Sequence, residues 1–264
     1  MHKNQMNIQL KSEAKKTSLA IFAMISLLLF SYQSTAQSKV IDVETFDKIV
    51  VSPHIEVVFK KGDKESVSVE SISVPVEKLN VEVKKNTLNL FLDGAKIVAD
   101  TKKEYVNGYK TKTSIYKGTI ARVIVTYKNI NSLELRGEER FEFESYINSK
   151  KLRLNIYGES QVYFNEVAIN SLLVSIYGES YLEIKQGKIE NQKFTAYGES
   201  KVNTMNVESM ETKLTAYGDG TFQFNVSDKL KITSYGEATI NYSGGATLNK
   251  GIVIGETKIT NVNF

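Results

Sequence analysis

Cysteine is absent from this chain of 264 residues, and proline and histidine occur only twice each. The absence of cysteine excludes disulfides, thiolate metal sites, Cys nucleophiles and the lipidated cysteine of a lipoprotein. After residue 36 the sole histidine is His54, so neither a histidine-based triad nor a zinc site is expected. The fold must therefore be held together by its core and its hydrogen bonds.

The first 36 residues are typical of a secretory signal peptide. Lys15 and Lys16 precede an apolar run over residues 19–30, and small residues follow at positions 34–36. The apolar run is shorter than the roughly 20 residues that span a bilayer, which favours a cleaved signal over a membrane anchor. We therefore expect export and no stable membrane span after cleavage.

The net charge argues against one class of partner. The whole chain has 34 basic and 30 acidic residues, a formal charge of +4. Residues 1–36 hold four of the basic and one of the acidic residues, so residues 37–264 carry 30 basic and 29 acidic residues, a net +1. Because phosphate binding needs a concentrated basic surface, we expect no nucleic-acid partner.

Residues after position 36 are rich in β-forming side chains and show no convincing 3.6-residue period. Apolar residues alternate strictly from Leu79 to Val83 and again from Leu88 to Leu92. Pro53 interrupts an earlier pair of strands at an edge or bend. The sequence therefore predicts an almost entirely β protein.

A lysine-rich insert over residues 96–117 departs from this pattern. Its Asn-Gly pair at positions 107–108 is the signature of a two-residue hairpin. One interpretation is a solvated hairpin whose lysines protect a sheet edge from pairing. The other is a basic finger, tipped by Tyr105 and Tyr109, that contacts an acidic partner.

The second half of the chain repeats the phrase Tyr-Gly-Glu-Ser. It occurs as IYGES twice, then as AYGES, AYGDG and SYGEA, with LRGEE before these copies and VIGET after them. The glycines are Gly137, Gly158, Gly178, Gly198, Gly218, Gly236 and Gly255. Their spacing of 21, 20, 20, 20, 18 and 19 residues is typical of the stacked coils of a solenoid.

Parity around each glycine predicts which side chains face the core. Apolar residues recur four and two positions before the glycine, and four and six positions after it, so all of them share one side of the strand. The glycine and the serine two positions later fall on the same side. This predicts a narrow place or a tight bend where only small side chains fit inside.

The opposite parity places repeated chemistry on the outside. Directly before the glycines lie Tyr157, Tyr177, Tyr197, Tyr217 and Tyr235, headed by Arg136. Directly after them lie Glu138, Glu159, Glu179, Glu199, Asp219, Glu237 and Glu256. Hydroxyl residues lie three positions before the glycine, at Ser175, Thr195, Thr215 and Thr233, and basic residues five before, at Arg153, Lys193, Lys213, Lys231 and Lys250. In stacked parallel coils these residues would form columns, with neighbours in one column about 4.8 Å apart.

Each column has a structural and a functional interpretation. Stacked tyrosines can stiffen the sheet by roughly 0.5 to 1.5 kcal/mol per pair, and exposed carboxylates keep a sheet edge soluble. Carboxylates beside aromatic rings also suit sugars, and a carboxylate row could hold Ca²⁺. We therefore name ten tentative ligand-binding residues. They are Tyr157, Tyr177, Tyr197, Tyr217, Tyr235, Glu159, Glu179, Glu199, Asp219 and Glu237.

The repeat argues against catalysis. Hydrolysis of a glycoside needs an acid and a base in unlike surroundings, whereas a regular ladder gives every carboxylate nearly the same surroundings. We therefore assign no catalytic residue, no cofactor and no metal site, and expect a protein that is not an enzyme.

Three segments in order, FDKIVVSPHIEVVFKKGD, LNVEVKKNTLNLFL and ARVIVTYKNINSLELRGEE, precede the repeats. Together with the repeats, the chain from about Val40 to Phe264 resembles the putative auto-transporter adhesin head GIN domain family, a family of unknown function. Its members typically carry Gly-Ser-Gly where this chain has Gly-Glu-Ser. The resemblance implies a right-handed β-helix-like fold in an exported bacterial protein, with no catalytic residues to carry over.

We therefore predict an all-β, right-handed parallel β-helix-like solenoid with about seven coils of about 20 residues. Residues 1–36 are expected to be the signal peptide, 37–128 an N-terminal β region or cap, and 129–264 the repeats. We expect export to the periplasm or cell surface of a Gram-negative-type bacterium.

The preferred function is adhesin-like binding of an extended polysaccharide or another cell-envelope component along the Tyr/Glu face. Two alternatives stay open. One is a β-helix polysaccharide lyase or hydrolase; the other is a structural envelope protein that forms a homo-oligomer by end or edge stacking.

Overall fold

The computed structural model describes residues 39–106 and 109–262. The predicted signal peptide, residues 1–36, lies outside these residues. Alternation of apolar and polar residues places most of the described chain in strands. The first nine strands are β1 (Lys39–Asp42), β2 (Lys48–Val51), β3 (Ile55–Lys61), β4 (Ser66–Ile72), β5 (Leu79–Lys84), β6 (Thr87–Leu92), β7 (Thr101–Val106), β8 (Tyr109–Ser114) and β9 (Ala121–Tyr127). A 3₁₀ turn at Val76–Lys78 precedes β5.

The repeats supply the remaining strands. These are β10 (Ser132–Gly137), β11 (Arg140–Phe143), β12 (Ile147–Gly158), β13 (Gln161–Phe164), β14 (Val167–Gly178), β15 (Tyr181–Ile184), β16 (Gly187–Tyr197), β17 (Lys201–Tyr217), β18 (Thr221–Tyr235), β19 (Thr239–Ser243), β20 (Thr247–Ile254) and β21 (Lys258–Asn261). Strands of successive coils pair in parallel, with Tyr157 opposite Tyr177 and Tyr177 opposite Tyr197. The predicted all-β solenoid is confirmed, with about six turns.

The order of the strands in the stack differs from their order in the chain. β2 pairs in parallel with β6 on one side and with β10 on the other. In the same way β3 lies between β9 and β11. The coil built from β2 and β3 is therefore sandwiched between a coil that comes later in the sequence and the first repeat.

Antiparallel strands cover the far side of the β6/β9 coil. β5 pairs antiparallel with β6, and β4 pairs antiparallel with β9 and with β1. The edge of the parallel stack is thus paired at its N-terminal end, which protects it from further strand addition.

An insert between β6 and β9 interrupts the coil next to β2 and β3. It contains the hairpin β7–β8, in which Val106 lies opposite Tyr109. The predicted hairpin is confirmed, while its turn at 107–108 lies outside the described residues. Because β6 and β9 flank the insert, it leaves the solenoid at the same corner at which later coils carry the glycine phrase.

The side chains predicted to face inward form one core. The apolar residues that the parity assigned to the inside are buried in the coils from Gly137 to Gly236, for example Leu154, Ile156, Val162 and Phe164, whereas Val253 in the last coil is exposed. Phenylalanines of successive coils stack directly: the ring centroids of Phe143 lie 4.2 Å from those of both Phe59 and Phe164. The column of rings extends through the β2/β3 coil and joins it to the repeats.

The glycine phrase forms a tight corner between two strands. Ser160, Ser180 and Ser200 point inward and are fully buried, as predicted. The prediction that the glycine also needs the inner side is wrong, because Gly158 and Gly198 are exposed. The glycine is required because its φ is positive, +104° at Gly198, and because a Cβ there would lie 2.8 Å from the carbonyl oxygen of Gly178.

We predict that Gly198→Ala lowers the free energy of unfolding by about 3 kcal/mol or more, because left-handed strain and a backbone clash add. Gly245→Ala is the matched control, since the nearest atom to its Cβ would be the Ser227 carbonyl oxygen at 3.8 Å. That variant should stay within about 0.5 kcal/mol of the parent. Chemical denaturation measures both values, and equal losses would contradict this account of the corner.

A second prediction concerns Tyr127 at the end of β9. Its side chain is buried, its hydroxyl has no hydrogen-bond partner among the described residues, and burial raises its pKa to about 12. Tyr127→Phe should therefore leave the free energy of unfolding unchanged or raise it by up to about 1 kcal/mol. Tyr116→Phe should lower it, because the Tyr116 hydroxyl donates to the Asp93 carbonyl oxygen at 2.9 Å. Thermal unfolding of both variants checks the contrast; a clear loss in Tyr127→Phe would refute it.

Candidate functional site

The five predicted tyrosines form one continuous stack along the solenoid. The ring centroids are 4.8–5.0 Å apart and neighbouring rings are within 6° of parallel. The stack follows from the register, since strands of successive coils pair tyrosine with tyrosine. The members in order are Tyr157, Tyr177, Tyr197, Tyr217 and Tyr235.

Stacking decides which part of each ring solvent can reach. Tyr177, Tyr197 and Tyr217 have a neighbouring ring on both faces, and they remain 41%, 40% and 39% exposed. Their edges and hydroxyls are therefore accessible, whereas their faces are covered. At one end the guanidinium of Arg136 lies 5.9 Å from the Tyr157 ring centroid, and at the other Tyr235 pairs with Ile254.

The environment of the first tyrosine differs from that of the others. Burial raises the pKa of the Tyr157 phenol, and the Glu134 carboxylate raises it further. Glu134 is in turn held by an ion pair with Arg136. Tyr157 therefore keeps its proton to higher pH than an ordinary tyrosine.

The predicted carboxylates lie on the other side of the corner glycines, and all are exposed. Their backbone is fixed: Glu159 N donates to the Gly137 carbonyl oxygen at 3.0 Å and Glu179 N to that of Gly158 at 3.1 Å. Near the end of the column Glu237 N donates to Asp219 Oδ1 at 3.1 Å. We call this surface the tyrosine–carboxylate ribbon, formed by Tyr157, Tyr177, Tyr197, Tyr217, Tyr235, Glu159, Glu179, Glu199, Asp219 and Glu237.

None of the ion pairs within residues 39–106 and 109–262 uses a carboxylate of the ribbon; basic side chains pair elsewhere, as Lys188 does with Glu208. Like charges about 4 Å apart repel by about 1 kcal/mol even in bulk water. Because the ribbon carboxylates are exposed and form no ion pair among the described residues, the column is a run of negative charge open to solvent. In the described part of the chain, no three acidic or histidine side chains converge as a metal centre.

The hydroxyl column is regular, whereas the basic column is not. Thr195, Thr215 and Thr233 are in register, as are Lys193, Lys213 and Lys231. Lys250 is not part of this column, because a register shift between β18 and β20 sets it opposite Ile232. The prediction for Lys250 is wrong since the last coils, with spacings of 18 and 19 residues, no longer keep the period.

Parity did not single out one residue at the start of the ribbon. Glu139 occupies the place of the inward serine in the first repeat, and it is only 4% exposed. Its Oε2 accepts a hydrogen bond from Glu138 N at 3.0 Å, and its Oε1 lies 3.9 Å from His54 Nδ1. Burial raises the pKa of the Glu139 carboxyl. The sequence feature that distinguishes Glu139 is the second glutamate of LRGEE, since the next three repeats carry serine at that position.

The raised pKa of Glu139 predicts a pH-dependent stability. The folded protein binds this proton more tightly than the unfolded chain, so the contribution to stability is present below the unfolded pKa and is lost as pH rises through the folded pKa. Glu139→Gln should therefore be more stable than the parent at pH 7, by about 1.4 kcal/mol per unit of raised pKa. The difference should shrink as pH falls towards 4, and a gap that widens on acidification would contradict it. Thermal melts across this range provide the measurement.

Stacked parallel coils with one repeated surface define a β-solenoid. The family model of the putative auto-transporter adhesin, head GIN domain, matches residues 45–246. The chain therefore belongs to this family, as the resemblance in its sequence indicated.

Solved structures are similar to the chain over most of its length. A putative adhesin from Bacteroides fragilis gives a TM-score of 0.68 at 17% identity, covering 85% of this chain and 96% of its own. A putative adhesin from Parabacteroides merdae gives 0.61 at 19% identity, covering 86% and 95%. A putative lipid binding protein from Parabacteroides distasonis gives 0.61 at 16% identity, covering 86% and 96%. At these identities the likeness shows the fold, and no curated protein matches the chain.

The description of the family points to a non-enzymatic protein that is exported or located at the cell surface. Within the described residues, no helix has the length and apolar character that crossing a membrane requires.

Proposed function

We propose that the protein is a non-enzymatic cell-envelope protein, exported to the periplasm or cell surface, that binds an extended polysaccharide along the tyrosine–carboxylate ribbon. The observation that carries the proposal is the unbroken register of the ribbon, in which a tyrosine and a carboxylate recur in every coil from Tyr157 to Tyr235.

The spacing of the ribbon favours a polymer of sugar units. Successive tyrosine rings are 4.8–5.0 Å apart, so a ligand with a similar repeat meets the same groups at each unit. An extended peptide advances about 3.4 Å per residue and falls out of step within a few residues. A pyranose unit is closer in length to the spacing of the coils.

The covered ring faces determine how such a ligand would bind. Sugars commonly stack on aromatic faces, but here the neighbouring tyrosines occupy them. The groups left for recognition are the phenol hydroxyls, which donate and accept, and the carboxylates, which accept from sugar hydroxyls. Each contact is weak, and the repeat adds them along one chain.

The lipid-binding description of one structural neighbour suggests a contrasting ligand. A lipid needs a concave apolar surface to cover its chains, whereas the ribbon presents hydroxyls and carboxylates. Liposomes therefore serve as a second arm of the binding test, and the proposal predicts no binding to them through the ribbon.

We predict that Tyr177→Phe, Tyr197→Phe and Tyr217→Phe, combined in one variant, weaken glycan binding by about tenfold or more. Each lost hydrogen bond contributes about 0.5–1.5 kcal/mol, while the stacked rings and hence the fold are retained. A glycan array identifies the ligand, and titration calorimetry with that glycan measures the change.

Tyr163 and Tyr181 provide the matched control. They form a tilted pair with centroids 5.6 Å apart on β13 and β15, on the other side of the corner. Tyr163→Phe with Tyr181→Phe should leave glycan binding unchanged. An unaltered array profile in the triple variant would contradict the proposal. Equal losses of glycan affinity in the triple and the control variant would show that the ribbon is not the binding surface.

A further inference from the structure

A cavity of ≈ 570 Å³ lies where the insert meets the first repeats. Three separate parts of the chain form its walls. Pro53 and His54 come from the corner between β2 and β3, Val98 and Tyr116 from the insert, and Glu139 from the first repeat. Its volume is within the range of about 300–1,000 Å³ found for small-molecule sites.

The residue that the first repeat contributes to the cavity wall differs from its counterparts in the later repeats. The next three coils place serine at the inner corner position, where Ser160 and Ser180 each donate to a glycine carbonyl oxygen at 2.9 Å. Glu139 takes this position in the first repeat and instead accepts from Glu138 N. A glutamine could accept that hydrogen bond equally well. The hydrogen bond therefore explains the length and polarity of Glu139 but not its charge.

His54 is held in an unusual backbone conformation at the same place. Its φ is 72°, a left-handed value that costs a non-glycine residue of order 1–3 kcal/mol and is concentrated at functional sites. Its Nδ1 lies 2.8 Å from the Gly118 carbonyl oxygen, so Nδ1 carries the proton and Nε2 is the acceptor in the neutral ring. Its ring lies against that of Tyr116, with centroids 5.7 Å apart.

The charge of the walls is negative. Carboxylates at Glu138, Glu139 and Glu159 line the cavity against a single lysine, Lys117. Glu139 is the most buried of the three carboxylates, and Lys117 is exposed. Pro53, Val98 and the Tyr116 ring add apolar surface beside these charges.

We propose that this cavity binds a small organic cation, with its ammonium group at Glu139 and its apolar body against Pro53, Val98 and Tyr116. A cation at this point offsets the cost of burying the Glu139 carboxylate, whose ion-pairing contact among the described residues, His54 Nδ1 at 3.9 Å, already donates to the Gly118 carbonyl oxygen. Burial also raises the pKa of that carboxyl, which a bound ammonium group would lower again. The site shares Glu159 with the ribbon but does not rest on polysaccharide binding there.

The test compares two probes of the same shape. 2-Phenylethylamine carries an ammonium group, and 2-phenylethanol replaces it by a neutral hydroxyl. We expect saturable millimolar or tighter binding of the amine by titration calorimetry and no saturable binding of the alcohol. Failure of the amine to saturate, or equal binding of the two probes, would overturn the proposal.

Glu139→Gln keeps the hydrogen-bond acceptor for Glu138 N and removes only the charge. It should weaken amine binding by at least about tenfold, since a charge pair at a partly buried site is strong. Glu179→Gln is the matched control, because it removes an exposed carboxylate of the ribbon outside the cavity. The control should bind the amine as the parent does. Equal amine affinity in Glu139→Gln and the parent would refute the site.

A second variant tests the cavity without touching the buried corner. Val98 is 76% exposed and lines the cavity, so Val98→Lys should fold normally and place an internal ammonium group at the wall. This side chain should compete with the amine and lower its affinity by about tenfold or more. Unchanged amine affinity in Val98→Lys would show that the amine does not bind in this cavity and would overturn the proposal. The triple tyrosine variant should bind the amine normally, which separates this site from the ribbon.

Discussion

The carbonyl oxygen of each corner glycine sets the register of the solenoid. At Gly158 it accepts hydrogen bonds from Glu179 N at 3.1 Å and from Ser180 Oγ at 2.9 Å, both in the next coil. A backbone N–H and a serine hydroxyl of the next coil thus donate to the same carbonyl oxygen, and the space between the coils is too small for a Cβ. The pair of hydrogen bonds occurs at Gly137 and Gly158, and the close approach of the glycine carbonyl to the next glycine recurs along the whole stack. Tyrosines therefore stack on tyrosines outside and apolar residues stack within.

The repeat made much of the fold predictable. A period of about twenty residues predicts the solenoid, and parity predicts both the core and the outer columns. Parity could not explain why glycine is required at the corner, because neither a positive φ nor a nearby carbonyl oxygen affects the alternation of apolar and polar residues. It also could not show that β2 and β3 lie between β9 and β11 or between β6 and β10, because pairing of distant strands is not a local property.

The regular and the irregular parts of the surface suit different ligands. The ribbon from Tyr157 to Tyr235 presents the same groups many times and lacks a unique point, which fits a repetitive polymer. The cavity at Glu139 and His54 is formed where the period is broken by an insert and by one substitution at the serine position. Single carboxyls with perturbed pKa values arise at such breaks, because only there do the surroundings of one residue differ from those of its counterparts.

The position of the β2/β3 coil has a consequence for how the protein reaches its native state. β2 needs β6 and β10 as neighbours, and β3 needs β9 and β11. A chain that is synthesised from its N-terminus therefore cannot add coils in sequence order. Residues 48–61 complete both of their pairings only when the chain has reached about residue 143, and these long-range pairings make folding of the first coils slow. Until the first repeat is available, one edge of the β2/β3 coil stays unpaired and open to association with other chains.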